Sequence, residues 1–449
     1  MALRPLVRRY GSGDHWSVVI TESTVTTPVP ARRRVHRAWW VAAVAFVATI
    51  GAAGFRATPG VLIAPLQDEF GWSRGTISAA VSVNLVLFGL TAPFAAALML
   101  RFGIRRVVTF ALLLVAAGSG LTVFMTQSWQ LVLCWGVLVG LGTGSMALTF
   151  VAMVTGNWFV ARRGLVTGVL TAAGATGQLI FLPVLANLAG ERGWRSAALT
   201  VTVAALAVVP LVLLLLRDRP SDVGLRPYGA TDDTVIAPPT PAAGGVAARA
   251  LRELGRASRT PAFWFLAAGF AICGASTNGL IGTHLIPAAH DHGMAETTAA
   301  GLLALVGVFD IVGTVLSGWL TDRFDPRVLL VVYYTLRGVS LLFLPAVLGD
   351  AVHLGMVGFI VFYGLDWIAT VPPTIALCRA HFGEAGPIVF GWVFASHQIG
   401  AAVAASAAGV LRDVRGDYAL AWAGAGVLCL LAAAFSARVG LPRAVAATV

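Results

Sequence analysis

Apolar residues fill runs of about 20 positions, the length a helix needs to cross roughly 30 Å of hydrocarbon. Polar clusters separate one run from the next. The runs predict membrane-spanning helices at 39–63, 76–99, 107–126, 130–154, 165–189, 196–216, 262–287, 298–320, 328–348, 352–376, 387–410 and 418–437. Six precede the longest polar stretch and six follow it. The expected fold is an all-α membrane protein with twelve transmembrane helices in two pseudo-symmetric six-helix bundles. The expected organisation is a tail over 1–38, a first bundle over 39–216, a linker over 217–261, a second bundle over 262–437 and a tail over 438–449. One short basic loop follows the second run of each half: Arg101-Phe102-Gly103-Ile104-Arg105-Arg106 and Asp322-Arg323-Phe324-Asp325-Pro326-Arg327. That repeat marks a duplicated chain.

Composition agrees: 58% of the 449 residues are hydrophobic and 11% charged. A net charge of +11 suggests nucleic acid until its distribution is read. All 31 basic residues are Arg. With the N-terminus inside, the Arg near the membrane number 21 on the cytoplasmic side and 5 in loops outside, the asymmetry that orients membrane proteins. Both termini are therefore expected in the cytoplasm, in a plasma or inner membrane of bacterial type, with the lipid bilayer and not nucleic acid as the partner of the charge. The first 38 residues hold no apolar core with a small-residue cleavage site, so no signal peptide is expected. Cys134, Cys273, Cys378 and Cys429 fall inside apolar runs without metal-ligand spacing and read as packing residues. No cluster of His, Asp or Glu has metal spacing and no nucleophile stands beside a base, so neither an enzyme nor a metal or cofactor is expected. In the linker, 237–241 is Pro-rich and reads as flexible, while Arg249, Arg252, Arg256 and Arg259 follow at helical spacing.

The paired loops carry a resemblance. Gly318-Trp319-Leu320-Thr321-Asp322-Arg323-Phe324-Asp325-Pro326-Arg327 resembles the Gly-x-Leu-x-Asp-Arg-x-Gly-Arg-Arg loop of the major facilitator superfamily. The first copy keeps Arg101, Gly103, Arg105 and Arg106 but has Ala96 and Leu100 in place of Gly and Asp. Further matches are Phe70-Gly71-Trp72-Ser73-Arg74, Trp158-Phe159 with Arg162-Arg163-Gly164, Gly193-Trp194-Arg195, Arg219-Pro220-Ser221-Asp222-Val223-Gly224-Leu225 and Thr283-His284-Leu285-Ile286-Pro287. They are most similar to the monocarboxylate-porter and oxalate/formate-antiporter branch. The resemblance implies a secondary transporter, a monomer, whose two bundles rock about a midplane site. It implies an inner gate built from Arg101, Gly103, Arg105, Arg106, Gly318, Asp322, Arg323 and Arg327. Because Leu100 cannot cap or pair, that gate is expected to be asymmetric and to lean on Asp322.

Four charges fall inside the apolar runs: Arg56, Asp310, Arg337 and Asp366. Each costs at least about 2.5–3.5 kcal/mol unless it has water, a partner or a function. Arg56 lies among Gly51, Gly54, Pro59 and Gly60, and its planar fork suits a carboxylate; a snorkelling or paired Arg is the blander reading. The family's branch has Lys after this Pro, where Gly60 stands. Asp310 matches an intramembrane Asp of that branch, whose Arg four residues on is replaced by Thr314, and it is the first candidate for proton coupling. Asp366, beside Pro372 and Pro373, is a second, and His397 a third. Arg337 reads as the structural partner of Asp310 or Asp366. Gln178, Asn278 and His284 are candidate cavity residues with Arg56. The glycines of spans four and five permit close helix contact. The function expected is transport of a small organic solute, a carboxylate-type anion moved with protons. Drug/proton efflux and a non-transporting solute sensor are the alternatives.

Overall fold

The computed structural model describes residues 35–232, 234 and 245–440, with 56–64 and 74 described by backbone alone. The Pro-rich 237–241 lies outside the described residues. Helices α1 to α6 are Arg37–Phe70, Arg74–Phe102, Ile104–Thr122, Ser128–Trp158, Arg163–Arg192 and Trp194–Leu215. Helices α7 to α9 are Pro261–Asp291, Glu296–Thr321 and Pro326–Val347. The stretch Leu354–Arg415 holds α10 over 354–382 and α11, Gly386–Arg415, and α12 is Ala419–Arg438. Many overrun the apolar runs, most of all α1, α5 and α11, because their polar last turns continue the helical hydrogen bonds beyond the hydrocarbon.

Sharp connections explain the short loops. Gly103 sits at φ +90° between α2 and α3, and the Asp218 carboxylate lies where a Cβ would go. That carboxylate accepts the Arg105 amide at 2.7 Å, capping α3. In the equivalent loop of the second half, Asp325 caps α9 by accepting the Arg327 amide at 2.8 Å, and Pro326 opens the helix. The Arg327 guanidinium on Asp325 also holds that carboxyl below the usual carboxylate range.

Three helices depart from α geometry. Val132–Val139 in α4 and Ala275–Ile281 in α7 are π-helical, and α10 breaks over 367–370. Side chains occupy the carbonyls there: Asn84 donates to Trp135 O at 2.8 Å and the Tyr363 hydroxyl to Ser276 O at 2.8 Å.

Helices in lipid gain little from burying apolar surface against one another, so close packing through small residues must hold them. Gly177 faces the Ile50 carbonyl between α5 and α1, Gly313 the Leu365 carbonyl between α8 and α10, and Gly274 the His397 carbonyl between α7 and α11. The two halves meet along α5 with α8 and α2 with α11. Near the basic loops Gly164 and Gly168 press on Gly318, and Gly391 on Pro93. Towards the other end Gly307 makes only ordinary contact with Leu179, while Gly190 and Gly301 have nothing within 4 Å. The α5–α8 seam is thus tightest at the basic end. At that other end ion pairs stay within a half, Glu69 with Arg195 at 2.6 Å and Asp291 with Arg412 at 2.9 Å. Hydrogen bonds from Arg195 and Trp194 hold the Glu69 carboxyl below its usual range.

The linker packs on the first half through Tyr228, whose carbonyl accepts the amides of Val160 and Ala161 at 2.9 and 3.1 Å. It then forms an amphipathic helix, Val246–Ala257. Its apolar face lies on protein, against α2 and α11.

A side chain at Gly313 would overlap backbone across the α8–α10 contact, whereas Gly424 on α12 faces open space. Gly313→Leu should therefore destabilise the purified protein by about 1–3 kcal/mol, seen as a lower melting temperature in detergent. Gly424→Leu should leave it unchanged.

Candidate functional site

The break in α10 leaves backbone groups without helical partners inside the membrane, where each must be satisfied by protein. Arg337, on α9, meets the first segment's end: its Nε donates to Asp366 Oδ2 at 2.5 Å and its Nη2 to the carbonyls of both Asp366 and Trp367. Asp310, on α8, meets the next turn and accepts the Ile368 amide at 3.1 Å. A cation at carbonyls and an anion at an amide match the polarity of helix ends. Thr314 donates to the same Asp310 oxygen at 2.8 Å, and Ser317 donates to Ala369 O at 2.5 Å. Cys273 of α7 closes the group, within 3.0 Å of the guanidinium and 3.3 Å of the Thr370 hydroxyl.

Arg337, Asp310 and Asp366 are 0%, 1% and 5% exposed. Arg337 lies within electrostatic reach of both carboxylates. The structure therefore brings three of the four intramembrane charges together. Arg337 forms its ion pair with Asp366, while Asp310 receives its hydrogen bonds from a hydroxyl and an amide. Asp366 Oδ1 has no partner among the described residues. Where the resemblance implies a cation one turn along α8, Thr314 stands, and the cation comes from α9.

The other candidates are dispersed. Arg56 lies on α1, but its side chain is outside the described residues. Gln178 is half-buried on α5, one turn beyond Gly174, whose Cβ position is open. Asn278 is exposed within the π segment of α7, where its carbonyl accepts the Thr283 hydroxyl at 2.8 Å. His284 is buried within the second half, 3.3 Å from the Tyr418 hydroxyl and 2.9 Å from Ala405 O. His397 lies on the α7–α11 contact, its ring 5.0 Å from that of Phe270.

At the basic end the two seams are built differently. On one, both Asp322 oxygens cross between halves to the first amides of α5, Gly164 N at 2.6 Å and Leu165 N at 2.8 Å. Gly318 and Gly164 let the helices come close enough for this. The other seam has Leu100 where the acid would be. Leu100 packs with Ala96, Ala97, Ile388 and Trp392, and the linker helix lies across them, Trp392 Nε1 donating to Ala250 O at 3.1 Å. The remaining basic residues stay local. Arg323 stacks on Trp319 at 3.9 Å, Arg327 pairs with Asp325, Arg101 lies over Phe102, and the Arg105 and Arg106 guanidiniums make no ion pair among the described residues.

Sequence reasoning missed Asp218 as the cap of α3, the linker helix as the second seam's cover, and Cys273 with Thr370 beside the buried charges. It also passed over a cavity between the halves, about 260 Å³, lined by Arg163 and Arg379. The spacing of the linker arginines was the available signal for the helix. Asp218 and Cys273 meet their partners across long sequence separations and left none.

Replacing Arg337 by Leu strands Asp366 in hydrocarbon and should cost about 3–5 kcal/mol, read as loss of monodisperse protein on extraction. Asp322→Ala removes a charged acceptor worth about 1.5–3 kcal/mol per bond, a factor of about ten or more in the closed-to-open ratio. A Thr167→Cys reporter should accordingly react faster with a thiol reagent in Asp322→Ala, and little faster in Leu100→Asn.

A sequence profile of the Major Facilitator Superfamily matches residues 44–405. An uncharacterized MFS-type transporter of Bacillus subtilis (strain 168) is 27% identical over 387 residues, 85% of this chain and 90% of its own. Monocarboxylate transporter 13 of Bos taurus is 28% identical over 398 residues, 87% of each chain. Among solved structures, a transporter of the superfamily in its outward conformation superposes with a TM-score of 0.65 at 15% identity, over 91% of this chain and 100% of its own. At that identity the likeness speaks for the fold. With twelve crossing helices in two halves and a profile match over most of its length, the chain belongs to the major facilitator superfamily and is a multi-pass membrane transporter.

Proposed function

We propose that this transporter moves a small carboxylate-type anion together with protons by alternating access, with its basic loops and both termini in the cytoplasm. The observation that carries the reading is the buried set of two carboxylates and one guanidinium around the α10 break. Fully ionised, it holds one excess negative charge in a low-dielectric interior, and one proton makes it neutral. Asp366 touches the guanidinium and stays ionised. Asp310 is bonded only to neutral donors, so it is the group that takes the proton.

Arg56 is the anion's ligand in this reading, supported by its place in a Gly- and Pro-interrupted stretch of α1 and by the match of guanidinium to carboxylate. Gln178 and Asn278 are proposed as further cavity contacts. The name of the bovine relative, a monocarboxylate transporter, supports the substrate class, and the buried carboxylates support the coupling. The excess of Arg in the loops on one side supports the orientation. With that side inside, the seam closed by Asp322 is the inner gate and the form described is outward-facing. In this reading proton and anion enter from the end opposite the basic loops. With both bound, Asp310 is neutral and Arg56 is paired, so the halves can rock without carrying an uncompensated charge, and release of Asp322 from α5 opens the inner side.

Uptake of a panel of radiolabelled monocarboxylates into proteoliposomes tests this. An inward proton gradient should drive accumulation by the wild type. Asp310→Asn should abolish gradient-driven accumulation but keep solute exchange, and Arg56→Gln should abolish both while remaining folded. Accumulation by Asp310→Asn that still follows the gradient would move coupling to Asp366 or His397.

A further inference from the structure

The cavity at the basic end contains a charge pattern that the transport cycle above does not use. It lies between the halves, walled by α4, α5, α8, α10 and α11. Its charged side chains are Arg163, Arg379 and Asp322. Asp322 is engaged by the Gly164 and Leu165 amides. Arg163 donates its Nε to Phe159 O at 2.7 Å, which fixes the side chain but leaves its terminal nitrogens without an acceptor among the described residues. Arg379 has no ion pair or hydrogen bond among the described residues, and no carboxylate lies within ion-pair distance of either guanidinium. Gly156 makes the arrangement possible: a Cβ there would lie 2.5 Å from Arg379 Nη1.

The two guanidiniums face one small, partly open space and repel across it, and the Asp322 carboxylate on the same wall offsets part of that repulsion. The nearby hydroxyls offer no relief, since Thr155, Thr167 and Thr321 each donate to a carbonyl of their own helix. The acceptor chemistry the space lacks is that of an oxyanion, which each fork can bind through two N–H groups. A volume of about 260 Å³, the room of roughly eight or nine waters at about 30 Å³ each, admits a small anion with water around it.

We propose that Arg163 and Arg379 form a second anion site, reached from the cytoplasm, which takes a small oxyanion and thereby holds the inner gate closed. The wall includes residues of both halves, so the site exists only while the gate is shut. An anion bound there stabilises that state by mass action. A rise in cytoplasmic anion would then slow the opening of the inner side, a brake on further cycles. The carboxylate of a carried solute and inorganic phosphate present the same acceptor chemistry. Choosing the first rests on the transport reading, whereas the site itself does not.

The test is protection of a cavity-wall thiol. The four native cysteines are buried, so Ala376→Cys, or Thr321→Cys if the first fails to fold, provides the reactive thiol in purified protein. Lactate and phosphate are added separately, with lactamide as the neutral analogue of lactate. Lactate, phosphate or both should slow labelling several-fold, lactamide should not, and Arg163→Gln/Arg379→Gln should remove the protection. Protection that persists with Arg56→Gln places the anion at the inner site; its loss with Arg56→Gln alone, its survival in the double variant, or equal protection by lactamide would overturn the proposal. Protection in a protein that transports no monocarboxylate would leave this site standing and remove the transport reading.

Discussion

A charge in hydrocarbon must be compensated where it sits, and in this chain the compensation is a buried group of Asp310, Arg337 and Asp366. The group holds open a helix break that would otherwise expose backbone polar atoms to an apolar interior. Arg337 takes the carbonyls at the end of the first α10 segment and Asp310 takes an amide of the turn that follows. Four helices are tied by this arrangement, since α8 supplies Asp310, α9 supplies Arg337, α10 carries the break and α7 contributes Cys273. A proton on Asp310 would alter a charge and a backbone capping group at once. That gives protonation a direct mechanical consequence in α10.

The basic end shows that the two seams of a duplicated fold need not be built from symmetric parts. One seam uses a carboxylate on the N-terminus of α5, where amides and helix dipole favour an anion. The other lost its acid at Leu100 and became an apolar contact covered by the linker helix. The first seam depends on charge and hydrogen bonds, the second on packing. The halves are therefore expected to separate by different local events on the two sides, even though they rock as bodies.

Much of this was legible in the sequence. The twelve apolar runs located the twelve crossing helices, because the length of a membrane span is imposed by the bilayer rather than by neighbours. The substitution at Leu100 pointed to unequal seams, and the rarity of intramembrane charge singled out Asp310, Arg337 and Asp366. Two things did not show. The π segments of α4 and α7 leave no periodicity signal in uniformly apolar helices, and they are set by tertiary contacts such as Asn84 with Trp135. Partner choice was also hidden: Arg337 could have met either Asp, and Arg163 and Arg379 counted only as loop charge until the fold placed them on one cavity.

The proposed cycle depends on a single proton held by Asp310 next to an ionised Arg337–Asp366 pair. Infrared difference spectroscopy of the protein in lipid, at a pH where exposed carboxylates are ionised, observes that proton through the carbonyl stretch of a protonated carboxyl. One such band, shifted in heavy water and absent in Asp310→Asn, is the predicted result. A band that survives Asp310→Asn unchanged, or no protonated carboxyl at any pH that supports transport, would contradict it.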